Sequence, residues 1–86
     1  MNINELITII KNKLQKEIII QDLKIEDKSF LHKKHKQNQE GWFHLKLIIK
    51  SDELVKLNKI ESTKKIYSIL DYELKNYIHS IQILLN

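Results

Sequence analysis

FHLKLIIK, residues 43–50, alternates apolar and polar side chains with a period of two. Phe43, Leu45, Leu47 and Ile49 fall on one side, and His44, Lys46 and Lys50 on the other. That is the pattern of a strand with one face against a core and one face open. His44 is therefore expected on the open face or near its edge, outside the core. A half-buried strand needs other strands beside it and an apolar layer over it, so the flanking segments must supply both.

Upstream, Asn2 with Glu5 three residues later is an N-cap signature, and Ile3, Leu6, Ile7, Ile10 and Leu14 recur at helical spacing. Lys11, Lys13 and Lys16 suit the C-terminal end of that helix. From Ile18 to Glu26 the pattern turns β-rich, with Ile19, Leu23 and Ile25 on one face and Asp22, Lys24 and Glu26 on the other. The polar stretch KSFLHKKHKQNQEG joins this strand to residues 43–50, which predicts an antiparallel pair.

Downstream, Ser51 caps a short helix with Asp52 and Glu53 in its first turn. Asn58 caps a longer one, in which Thr63, Ile66, Tyr67, Leu70 and Leu74 share a face and Asp71 pairs with Lys75. YIHSIQILL then reads as a strand with Ile81 and Ile83 on one side and Ser80 and Gln82 on the other. A two-helix crossover brings this last strand in parallel to its neighbour, with right-handed connectivity. The expected fold is α+β in the order α-β-β-α-α-β, a three-stranded mixed sheet with helices on one face, forming a single domain over residues 1–86.

With 86 residues the chain buries only about 60% of the surface of its unfolded form, which leaves little room for a deep private active site. No cysteine is present, so there is no disulfide framework, thiolate nucleophile or sulfur ligand of the chain's own. The net charge of +4 comes from 15 lysines without a single arginine. Lysine is a flexible point charge, suited to loose phosphate attraction rather than bidentate reading of base edges. No apolar run approaches the ~18 residues that span a bilayer, and MNINELITII lacks a basic n-region and a small-residue cleavage site, so a cytoplasmic location is expected.

The four histidines are His32, His35, His44 and His79. Neutral imidazole is a good ligand for iron and zinc. By spacing alone, however, His32 and His35 read more readily as solvated loop residues beside Lys33, Lys34 and Lys36. His79 shares its parity with Ile81 and Ile83, so the same reading makes it a partly buried histidine at a strand mouth.

The chain resembles the BolA family across nearly its whole length. Asp27 and Ser29, then His32 and His35, then FHLK with His44, match the family's Asp-x-Ser, histidine loop and second strand, and IHSI places His79 at its last-strand histidine. The register holds without gaps from Ser51 to His79. The resemblance implies a KH-like fold and a heterodimer with a monothiol glutaredoxin that bridges a [2Fe-2S] cluster. In it the glutaredoxin cysteine and a glutathione thiolate hold one iron and BolA-type ligands the other. Carried over, the ligands are His79 and His32, with His35 or His44 as substitutes, or His44 as a neighbour that orients a ligand ring. Alone, the chain is expected to be a monomer or weak homodimer.

Many members also carry Phe-x-Gly after the second strand and an Arg-His-Arg triplet in the long helix, linked to nucleic-acid contact and partner docking. Here those positions hold Leu54 and Lys56, then Ser62, Thr63 and Lys64. A nucleic-acid-binding regulator is therefore the alternative function, through Lys56, Lys59, Lys64 and Lys65. The Gly-x-x-Gly loop by which a KH module grips a backbone is missing, because Gly41 is the only glycine. Those lysines read first as a solvated helix face or as steering charges for an acidic partner protein. No HExxH motif, nucleophile elbow or phosphate-cradling loop is present, and no enzymatic activity is expected.

Overall fold

The computed structural model describes residues 1–29 and 42–86. Seven elements follow one another: helix α1 (Ile3–Glu17), strands β1 (Asp22–Asp27) and β2 (Phe43–Lys50), helices α2 (Asp52–Val55), α3 (Lys59–Ile69) and α4 (Asp71–Asn76), and strand β3 (Ile78–Leu85). β2 lies at the centre, antiparallel to β1 and parallel to β3. This is the mixed sheet expected from the alternation of residues 43–50.

The starts of α1, α2 and α3 carry the caps their sequences promised, whereas α4 follows Leu70 without a side-chain cap. The Asn2 side chain accepts from the Glu5 amide, Ser51 from Leu54 and Asn58 from Glu61, satisfying donors that have no partner within the helix. α1 turns Leu6, Ile10 and Leu14 onto the sheet, where they form one buried cluster with Leu45, Leu47, Ile49, Leu54, Ile66, Leu70 and Ile78. Burying each such side chain contributes about 1.5–3 kcal/mol. Ser51 does more than cap, since its hydroxyl also donates to the Ile19 carbonyl at 2.7 Å and ties the start of α2 to the approach to β1.

Two details differ from the sequence expectation. Strand pairing starts later than Ile18, because Ile18 is the buried C-cap of α1 and Ile19 is 71% exposed rather than inward. The chain bends at Gln21, whose amide donates to the Lys50 carbonyl, and from there Leu23 and Ile25 face the core. The inward parity thus switches from even to odd across the bend. Second, the long helix divides at Leu70, although the hydrogen bonds from Leu70 to Ile66 and from Leu74 to Leu70 persist through the kink. The buried stripe becomes Ser62, Ile66, Leu70 and Glu73, and Tyr67 is exposed.

Glu73 is a buried carboxylate, and its compensation is visible. Lys13 of α1 reaches both of its oxygens, at 2.7 and 3.0 Å, pinning α4 to α1. The Asp71–Lys75 pair forms as expected, at 3.0 Å and well exposed. Among the described residues, no helix is long and apolar enough to cross a membrane.

Candidate functional site

At the end of the sheet where the two parallel strands begin, their register slips. Phe43 pairs with Ile78 but His44 pairs with Ser80, leaving His79 as an extra residue in β3. Such a bulge re-aims a side chain. Parity with Ile81 places His79 inward; the bulge turns it out instead, exposed and on the face that carries His44. The two imidazole rings stack there, with centroids 4.8 Å apart and planes 25° from parallel.

His44 occupies the open face of the sheet, as its parity requires, and lies outside the apolar core cluster, although it is only 6% exposed. Polar neighbours account for the burial. Its Nδ1 is 2.7 Å from the Ser80 hydroxyl, and its backbone amide donates to the Ser29 hydroxyl at 3.1 Å. Ser29 is itself positioned by its amide, which donates to Asp27 Oδ1 at 2.9 Å. The Asp27-x-Ser29 motif therefore braces the backbone of His44. Trp42 lies edge-on to His79, with ring centroids 6.4 Å apart.

His32 and His35 lie outside the described residues. Their segment, residues 30–41, is flanked by Ser29 and Trp42, which touch His44 and His79 respectively. Two members of this cluster escaped the sequence reading. Trp42 gave no periodic signal, while Ser80 was recognisable, because its outward parity on the strand beside His44 already put both on one face.

The lysines of the alternative site are dispersed along α2 and α3. Lys56, Lys59 and Lys64 are exposed, and Lys65 is committed to Glu53 at 2.9 Å. That hydrogen bond holds the Glu53 carboxyl below the usual carboxylate range.

Fold and site define a class: a small α+β domain with a mixed three-stranded sheet, whose open face presents paired histidines where its parallel strands start. Residues 14–86 match the family model described as BolA-like protein, and the chain belongs to that family. A relative from Haemophilus influenzae, described as DNA-binding transcriptional regulator BolA, is 33% identical over 73 residues, spanning 85% of this chain and 68% of the relative. Among solved structures, the BolA domain of SufE1 from Arabidopsis thaliana superposes with a TM-score of 0.78 at 30% identity, over 92% of this chain and 87% of that one. BolA1 from the same plant gives 0.73 at 25% identity with the same coverage. The likeness to a Bol-like protein from Babesia bovis, at 17% identity and a TM-score of 0.70, is one of fold, over 91% of this chain and 79% of that one.

Proposed function

We propose that this chain is a BolA-like adaptor that pairs with a monothiol glutaredoxin and co-ligates a [2Fe-2S] cluster with it, for cluster transfer, maturation or iron regulation. The observation that carries the reading is the bulge, which presents His79 as an exposed imidazole against a buried, hydrogen-bonded one. The donor set suits the group, because imidazole binds iron without a thiolate from this chain and thiolates come from glutaredoxin and glutathione. Bound there, the cluster would supply an iron-sulfur unit whose potential is raised by imidazole in place of thiolate.

His79 is the ligand from the sheet, and His32, with His35 as its substitute, the ligand from residues 30–41. His44 serves as the positioning residue, because its Nδ1 is engaged by Ser80 and its ring is the surface on which His79 stacks. Visible absorption and circular dichroism of a cluster-loaded monothiol glutaredoxin, titrated with this protein in the presence of glutathione, test the reading. A new spectrum at a one-to-one ratio, lost in His79→Ala and altered in His32→Ala, is expected. An unchanged spectrum despite heterodimer formation would remove the histidines from ligand roles.

The description of the Haemophilus relative favours a second reading, DNA binding through Lys56, Lys59 and Lys64, with Lys65 partly spent on Glu53. Sequence-dependent binding that survives physiological salt would support it, and binding that vanishes with modest salt would not.

A further inference from the structure

The sheet has two edges, and they are built differently. β1, DLKIED, carries Asp22, Lys24, Glu26 and Asp27, the charges with which an edge strand discourages foreign pairing. β3, IHSIQILL, has no Lys, Asp, Glu or Pro in its eight residues, and Leu84 is 45% exposed. The Asn86 amide donates to the Ile49 carbonyl at 2.9 Å, while Ile49 is registered with Leu85. In a parallel ladder this turns the backbone groups of Gln82 and Leu84 toward β2 and those of Ile81, Ile83 and Leu85 to the outside. Among the described residues, no hydrogen bond reaches that outer row.

Beside it runs a groove of about 350 Å³ between the α2–α3 region and β3, lined by Leu54, Val55, Leu57, Ile83 and Leu85 together with Lys59, Ser62 and Thr63. Leu84, on the opposite face, also borders the groove, so it wraps around the strand edge. A row of free amides and carbonyls with a largely apolar groove alongside is the geometry of strand addition.

We propose that this edge pairs antiparallel with β3 of a second copy of the chain, extending the sheet across a two-fold axis at Ile83. The occupant follows from the strand itself. At net charge +4 most surfaces of two copies repel, but β3 brings no charge to the contact. The register is self-complementary: Ile83 lies opposite Ile83, Ile81 opposite Leu85, and Gln82 opposite Leu84. Directly opposed Ile81, Ile83 and Leu85 would each exchange both hydrogen bonds, and their half-buried side chains would cover one another on the helix side. The contact begins two residues beyond His79 on the same strand, and it does not rest on the proposed function.

Sedimentation of the whole chain over micromolar to low-millimolar concentrations tests it. A monomer–dimer equilibrium is expected. Gln82→Glu with Leu84→Glu, both exposed positions, sets like charges opposite each other and should weaken the dimer about tenfold or more. Gln82→Lys with Leu84→Lys should do the same alone, and mixing the two variants should restore a heterodimer. Thermal melts of each variant at low concentration check that the monomer remains folded. A chain that stays monomeric throughout, or a dimer indifferent to both charge pairs and to their mixing, overturns the proposal; the latter result would move the contact to another surface, such as the helix side exposing Ile60.

Discussion

On the helix side of β2, Leu45, Leu47 and Ile49 share one apolar cluster with Leu6, Ile10 and Leu14. On the other side of the same strand, Lys46 and Lys50 stand opposite Glu26 and Asp22 of β1, and His44 is enclosed by directed polar contacts to Ser80 and Ser29. The first face is held by area removed from water, which tolerates repacking and carries most of the folding free energy. The second is held by individual contacts that each contribute little to stability yet fix where an imidazole sits. Changes on the two faces should therefore move different readouts.

The largest expected effect lies on the closed face. Leu47→Ala should cost ~2–5 kcal/mol in urea or thermal unfolding. A comparable loss from His79→Ala, an exposed residue whose substitution should stay within ~0.5 kcal/mol, would break the comparison.

Next comes the Lys13–Glu73 tie. Lys13→Ala strips the counter-charge from a carboxylate that is 3% exposed. Because the lysine end is half open to water, the cost should be ~1–3 kcal/mol, below that of a fully buried pair. Glu73→Gln in the Lys13→Ala background should recover part of it, measured as a double-mutant cycle.

Ser51→Ala is expected to lose about 1–2 kcal/mol, because one hydroxyl both accepts from Leu54 and donates to Ile19. Thr at the same position should retain most of that stability.

The smallest effect is a pH dependence on the exposed side of α2 and α3. Lys65 lowers the Glu53 pKa in the folded chain. Its contribution is therefore present above the unfolded pKa of the carboxyl and lost as pH falls through the folded one. Lys65→Ala should flatten the acid limb of a stability–pH profile, with the wild-type advantage fading toward low pH; an acid limb of unchanged slope would contradict the assignment.

The closed face was the legible one. Asn2, Ser51 and Asn58 announced their helices, and the alternation of Phe43 to Ile49 announced the central strand, because caps and period-two patterns are local. What the sequence hid depends on contacts between segments. The bulge at His79 has no glycine or proline to mark it and exists only as a slip against β2, so parity placed the residue on the wrong face. The bend at Gln21, which exposes Ile19, likewise interrupts a run of isoleucines that carries no breaker. Leu70 kinks a helix without losing its hydrogen bonds, so the apolar stripe reads one residue out of phase. The candidate histidines were identifiable by type and resemblance, whereas the burial of His44 required knowing that Ser80, Ser29 and His79 converge on it.

The most direct test of the account is pulsed EPR of the reduced, cluster-loaded heterodimer made with histidine isotopically labelled at nitrogen in this chain alone. The account predicts strong hyperfine coupling from a directly bound imidazole of this chain. The part of that coupling due to His79 should disappear in His79→Ala, leaving that of His32, and the whole should persist in His44→Ala. Coupling that survives His79→Ala unchanged, or that is absent from the wild-type heterodimer, would contradict the claim that the bulge in β3 exists to present an iron ligand.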